Sequence, residues 1–180
     1  MRILKEDTIA LVIDIQERLF PHIFEAEKLE KNIKILIEGL KLLGVPIIVS
    51  EQYKKGLGET IPSIGELVKE YPHTEKTAFS CCDEPTIQER IELSGKRDII
   101  LAGIESHICL LQTAIDLKER GFNPILVADC VSSRTAENKF IAIERYKQEG
   151  IIISSYESIL FELCRYANGD VFKSISKLVK

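Results

Sequence analysis

Five short apolar runs, separated by longer segments of helical period, set the strongest limit on how this chain can fold. They are Thr8 to Ile13, Pro46 to Ser50, Arg97 to Gly103, Pro124 to Ala128 and Gly150 to Ser154. Each run is continuous rather than alternating. A strand with one wet face carries a polar residue at every second position, whereas a continuous run marks a strand buried on both faces. Between the runs, Leu29, Ile33, Leu36, Ile37, Leu40 and Leu43 form one helical stripe, and Ile141, Ile143 and Tyr146 mark part of another. Gly44 and Gly121 close their helices, and Pro46 and Pro124 reopen the chain. The alternation predicts an α/β fold of three layers, α/β/α, with a doubly wound, mainly parallel sheet of about six strands and right-handed crossovers. In such a sheet the functional groups gather at the C-terminal ends of the strands.

One stretch departs from the pattern. From Gln52 to Lys76 the chain carries Gly56, Gly58, Pro62, Gly65 and Pro72, which predicts a long loop with at most one short helix. Loops of that length usually shape a site.

The 180 residues match the size of one domain, spanning 1–180. A formal net charge of −4, with both signs interspersed, offers no broad basic face to nucleic acid or to acidic lipid. A small-molecule partner fits better. The cysteines are Cys81, Cys82, Cys109, Cys130 and Cys164, an odd set without zinc-ligand spacing, and they read as reduced thiols. No secretory segment opens the chain and no apolar run reaches membrane-spanning length, so the expected location is the cytoplasm.

Chemistry concentrates at three places. In Gly103-Ile104-Glu105-Ser106-His107-Ile108-Cys109 a buried strand gives way to a helix. With Ser106 as its N-cap, Cys109 falls in the first turn, where free N–H groups and the helix dipole favour a thiolate and can hold an oxyanion. The alternative is a small core residue, the common fate of a free cysteine. Asp14 follows the first strand directly and is delivered to the functional edge of the sheet, although an Asp there also serves to cap a helix or close a turn. Lys76, in Thr74-Glu75-Lys76-Thr77-Ala78-Phe79-Ser80, read alone is a solvated charge. Together the three form a physical unit, because a thiol needs a base for its proton and a fixed cation favours both anions.

These three segments, in this order, resemble the isochorismatase-like cysteine hydrolases, whose Asp, Lys and Cys form a catalytic triad. The likeness continues through Ala128-Asp129-Cys130-Val131-Ser132-Ser133-Arg134 and Ala142-Ile143-Glu144-Arg145. Within the family, Ser50-Glu51-Gln52-Tyr53-Lys54-Lys55-Gly56-Leu57-Gly58 is most similar to the isochorismatase domain-containing branch. Nicotinamidases carry an Asp-x-His metal motif after the second strand. Glu51-Gln52-Tyr53 has no such pair of ligands, so no metal is expected. Isochorismatases proper generally lack the nucleophilic cysteine, and Cys109 therefore argues against isochorismate as substrate.

The resemblance implies Asp14, Lys76 and Cys109 as the catalytic residues. It also implies a cis peptide bond between Ile104 and Glu105, which turns the Glu105 N–H toward the same oxyanion hole as the Cys109 N–H. Gln16, Phe20, Gln52 and Phe79 are placed on the substrate wall by the resemblance and by their nearness in sequence to the triad. The activity implied is hydrolysis of a C–N bond, amide-like, in a small molecule through a covalent acyl-enzyme. No cofactor is implied, and family members commonly assemble into homo-oligomers.

A second reading keeps the fold but makes Cys109 a redox sensor, or the surface a partner-binding module, with little hydrolysis. A dinucleotide-binding domain is excluded, because the first strand ends in Asp14-Ile15-Gln16-Glu17 rather than a glycine-rich phosphate loop. The remaining polar and sulfur residues read as structural. His107 suits a surface or capping role, His22 and His73 lie apart in loops, and Cys130 and Cys164 sit in apolar surroundings. Cys81 and Cys82 adjoin the Lys76 segment, but adjacent cysteines rarely bond to each other.

Overall fold

The structure, a computed structural model, describes residues Met1–Lys180. Its strands are β1 (Thr8–Ile13), β2 (Ile47–Gln52), β3 (His73–Lys76), β4 (Asp98–Ile104), β5 (Asn123–Ser132) and β6 (Ile152–Ser154). Its helices are α1 (Ala26–Leu43), α2 (Lys54–Leu57), α3 (Pro62–Val68), α4 (Pro85–Leu93), α5 (Cys109–Glu119), α6 (Ala136–Gln148), α7 (Tyr156–Cys164) and α8 (Gly169–Leu178). The six strands form one sheet in the order β3-β2-β1-β4-β5-β6, and every neighbouring pair is parallel. The chain winds outward from β1 in both directions.

Alternation along the central strands divides the core. Ala10, Val12, Val49, Ala102 and Val127 face a layer made by α1, α3, α7 and α8. Ile9, Leu11, Ile13, Ile48 and Leu101 face the opposite layer, made by α4, α5 and α6. Both faces are covered, which is why all six residues of β1 and all seven of β4 are buried. Each fully buried Val, Leu or Ile contributes roughly 1.5–3 kcal/mol. The α1 stripe from Leu29 to Leu43 is buried as its spacing predicts. Gly44 ends that helix at φ 72°.

Three sequence expectations need correction. Gln52 to Lys76 is not a loop with one short helix: it closes β2, contains α2 and α3, and ends in β3. Strand β3 escaped notice because His-Thr-Glu-Lys is a polar edge strand whose residues alternate exposed and buried. Ser106 is not the N-cap of α5. That position belongs to Ile108, with no side-chain cap, while the Ser106 hydroxyl bonds that of Ser133 at 2.5 Å. On α6 the buried residues are Ala142 and Tyr146, whereas Ile141 faces outward.

The sheet register places the site. Ile13 lies level with Ser50 on β2 and with Gly103 on β4, so three strand ends meet at one edge. Gly103 makes this possible. At φ 127°, a Cβ on it would come within 2.1 Å of the Ile13 carbonyl oxygen, closer than any side chain tolerates.

Candidate active site

Asp14 leaves β1 in the left-handed region, at φ 54°, and its carboxylate is buried. Each oxygen has its own donor. Ser50 Oγ donates to Oδ1 at 2.7 Å and Lys76 Nζ to Oδ2 at 2.7 Å. Ser50 reaches it from the neighbouring strand, tied also by the Asp14 N–H to the Ser50 carbonyl at 3.1 Å.

Lys76 ends β3, and its side chain has no exposed surface. Besides Asp14, its ammonium reaches Gln52 Oε1 at 2.6 Å and the carbonyls of Phe79 and Ala78 at 3.1 and 3.3 Å. Burial works against this charge, but the Asp14 carboxylate favours it and the lysine is held above its ordinary pKa. It stays protonated at neutral pH.

Cys109 is the first residue of α5 and is 7% exposed. Burial raises its thiol pKa, the charge of Asp14 raises it further, and Lys76 pulls it down without cancelling either. The resting group is therefore a thiol. This differs from the thiolate that a helix N-terminus and a lysine alone suggest, because Lys76 already neutralises Asp14 and a second buried anion has no counter-charge. A neutral buried thiol can act as a nucleophile only where a base takes its proton, and Asp14 is the carboxylate beside it.

The turn ahead of Cys109 is tightly held. The peptide between Ile104 and Glu105 is cis. The Glu105 carboxylate pairs with Arg134 at 3.0 and 3.2 Å, and Tyr146 donates to the Ser106 carbonyl at 2.7 Å. His107 Nδ1 lies 2.9 Å from Ser133 Oγ. Neither the Glu105 nor the Cys109 backbone N–H donates to another group of the protein, so both remain free for a ligand oxygen.

The four residues placed on the substrate wall fall in different surroundings. Gln16 is buried, with Nε2 donating to the carbonyls of Gln52 and Gly58 at 2.9 and 2.7 Å and Oε1 accepting from the Gln52 N–H at 2.7 Å. It clamps the β1 end to the segment that follows β2. Gln52 is half-buried and bridges Lys76 to the Thr77 carbonyl. Phe79 is 54% exposed beside the carbonyl that Lys76 binds, while Phe20 packs into the core under α1.

Other residues at this edge were not read from sequence. Ser50 is one, although its signal was present: a lone hydroxyl at the end of an apolar run. The Glu51 carboxylate, also buried, accepts from Thr60 N and Oγ1 at 2.9 and 2.8 Å and pairs with Lys54 at 3.1 Å. Burial opposes its charge, yet these donors keep its pKa below the ordinary value. No three His, Cys, Asp or Glu side chains are placed to hold a metal. A cavity of about 220 Å³ lies elsewhere, between the start of α1 and the end of β5, and contains none of the three residues.

The chain matches a known family. The isochorismatase domain model matches residues 8–158. Isochorismatase domain-containing protein 2 of Danio rerio is 37% identical over 179 residues, covering 99% of this chain and 89% of its own. Among solved structures, the MAR1 ribonuclease from Caenorhabditis elegans superposes with a TM-score of 0.93 at 35% identity, over 99% of this chain and 92% of that one. The YcaC gene product of Escherichia coli, described as an octameric hydrolase of unknown specificity, shares the fold with a TM-score of 0.93 at 22% identity, over 99% and 89%. The chain belongs to the isochorismatase family, in the branch of the isochorismatase domain-containing proteins.

Proposed function

We propose that the chain is a cysteine hydrolase that cleaves a C–N bond, amide-like, in a small molecule. The observation that carries this reading is the buried meeting of a neutral thiol, a carboxylate and one ammonium at the C-terminal edge of the sheet. As Cys109 sulfur attacks the carbonyl carbon, its proton passes to Asp14, and the Glu105 and Cys109 N–H groups hold the oxyanion. The tetrahedral species collapses, the C–N bond breaks, and Asp14 returns that proton to the departing amine. Water then gives a proton to Asp14 and attacks the thioester. As the C–S bond breaks and the acid leaves, Asp14 passes that proton to the sulfur, which restores both the thiol and the carboxylate. Lys76 keeps a positive charge beside Asp14 throughout. Gln16, Phe20, Gln52 and Phe79 belong to the proposed substrate wall, with Gln16 and Gln52 holding its frame. No cofactor enters the scheme.

Burial and protonation of Cys109 weigh against the redox-sensor reading, since sensing cysteines are exposed and of low pKa. The name of the Caenorhabditis elegans relative describes a ribonuclease. Phosphodiester cleavage needs free cations for phosphate, whereas Lys76 is engaged by Asp14, Gln52 and two carbonyls. Five free cysteines support a reducing, cytoplasmic setting. No helix is long and apolar enough to cross a membrane. The octameric description of the Escherichia coli protein supports a homo-oligomer.

The test is a screen of small amides and ureas for repeated release of amine, with Cys109→Ala as control. Turnover that needs Cys109 and proceeds through a mass-detectable acyl adduct supports the proposal. Turnover that persists in Cys109→Ala overturns it.

A further inference from the structure

Asp14 Oδ1 is held by a chain of groups that the proposed mechanism does not use. Ser50 Oγ donates to it at 2.7 Å, and Cys81 Sγ donates to Ser50 Oγ at 3.7 Å. Both residues are buried, at 2% and 0% exposure. Cys81 is in turn fixed from the nucleophile's side: its N–H donates to Thr113 Oγ1 at 2.9 Å, and that hydroxyl donates to the Cys109 carbonyl at 2.7 Å. The network thus runs from the backbone of Cys109, through Thr113, Cys81 and Ser50, to the carboxylate of Asp14.

A hydroxyl rotor can point its proton in more than one direction. Here a thiol occupies the acceptor side of Ser50 Oγ, which leaves the Ser50 proton directed at Asp14. Burial pushes the Cys81 thiol up to about 11, with the charge of Asp14 adding to the shift, so it remains a donor at neutral pH. With Oδ1 taken by Ser50 and Oδ2 by Lys76, the carboxylate plane is fixed from two sides. Resting on the assignment of Asp14 as base to Cys109, we infer that Ser50 and Cys81 are positioning residues that orient the base and stabilise its anionic form.

A hydrogen bond donated to a carboxylate favours the charged state. Its loss makes Asp14 take up a proton from solvent more readily, so the acidic limb of Cys109 reactivity moves to higher pH. A purely structural role lowers the plateau and leaves the limb where it was. The probe is iodoacetamide, with alkylation of Cys109 followed by peptide mass spectrometry from pH 3 to 9, a range that includes ordinary carboxylate titration, in the full chain. In Ser50→Ala the limb moves up by about one pH unit, the scale of a hydrogen bond to a charged group, and the plateau falls. Ser50→Thr, which keeps the hydroxyl, restores the limb. Cys81→Ala moves it in the same direction by less, because S–H is a weak donor, and Cys81→Ser restores it.

An unmoved limb in folded Ser50→Ala, with Asp14→Asn still suppressing alkylation, overturns this inference and leaves the base assignment intact. Should Asp14→Asn itself alkylate like the parent, the base assignment fails and this inference with it. If Ser50→Ala does not fold, Cys81→Ala and Cys81→Ser decide: a limb that is the same in both overturns it.

Discussion

At the scale of single residues, charge and burial set what each group can do. Lys76 and Asp14 form a pair with no exposed side-chain surface, and removing one partner of such a pair costs about 3–5 kcal/mol because the other stays buried and unpaired. Lys76→Met should therefore fold with a lowered melting temperature and alkylate more slowly at Cys109, since Lys76 is the group that pulls the thiol pKa down. A rate equal to the parent, by peptide mass spectrometry at pH 7 to 9, would reduce Lys76 to a structural lysine. Glu51 supports a second prediction. Its carboxylate is engaged by Thr60 and Lys54, and no three-ligand set surrounds it, so turnover on any substrate found by the amide screen should survive exhaustive chelation. Activity lost on chelation and restored by zinc would refute that. That Asp14, Lys76 and Cys109 come together was legible from the family resemblance of their segments. For Asp14 and Cys109 it was legible also from their places after β1 and β4, whereas Lys76 by itself read as a solvated charge. Ser50, Cys81 and Thr113 were not legible, because their roles depend on hydrogen bonds across more than 30 residues of chain. The protonated state of Cys109 was misjudged for a related reason. Sequence shows the helix that favours a thiolate, but not the burial that opposes it.

At the scale of elements, the approach of β1 to β4 brings the proposed base toward the nucleophile. Gly103 is level with Ile13, and the next residues on the two paths lead to Asp14 and, through the turn at Glu105, to Cys109. A methyl group at Gly103 meets the Ile13 backbone, and its φ of 127° lies in a region that side chains rarely adopt. Gly103→Ala should destabilise the fold by more than about 3 kcal/mol, beyond the usual range for an overpacked site, because the obstructing atoms are backbone. Equilibrium urea unfolding measures this, and a loss under 1 kcal/mol would mean that the strands separate easily. The long apolar strands and α1 were legible because burial on two faces, or on one stripe, leaves a periodic mark. Strand β3 left none. It is an edge strand of four residues, with only Thr74 and Lys76 buried, and a lysine reads as solvent-facing until the carboxylate that holds it is in place. Helix α3 was obscured by its own start at Pro62, a residue that breaks helices in their interiors but suits their first turn.

Over the whole molecule, two core layers enclose thiols whose ionisation burial opposes. Cys81, Cys82 and Cys109 lie in the layer under α4, α5 and α6, and Cys130 in the layer under α1. Burial raises all four: Cys81 to about 11, Cys82 to about 12, and Cys109 and Cys130 also well up. In the unfolded chain each returns to a free value of about 8.5. The folded state thus keeps protons that the unfolded state gives up. The stability that these groups contribute is complete below about pH 8.5 and is lost as pH climbs toward the folded values, at about 1.4 kcal/mol per pH unit for each thiol. Urea unfolding between pH 8.5 and 10 should show a steep fall in unfolding free energy. Lys76, also held above its ordinary pKa, adds to the loss only near the top of that window. The slope, not the absolute stability, is the informative quantity, because replacing a buried thiol also changes packing. Cys130 is remote from the proposed chemistry and fully buried, so Cys130→Ala isolates one thiol without disturbing the site. Its slope should be shallower than the parent's by up to about 1.4 kcal/mol per pH unit. Parallel slopes in the two proteins would mean that the Cys130 thiol ionises as readily folded as unfolded, and that the core layers admit water where they are closed in the structure.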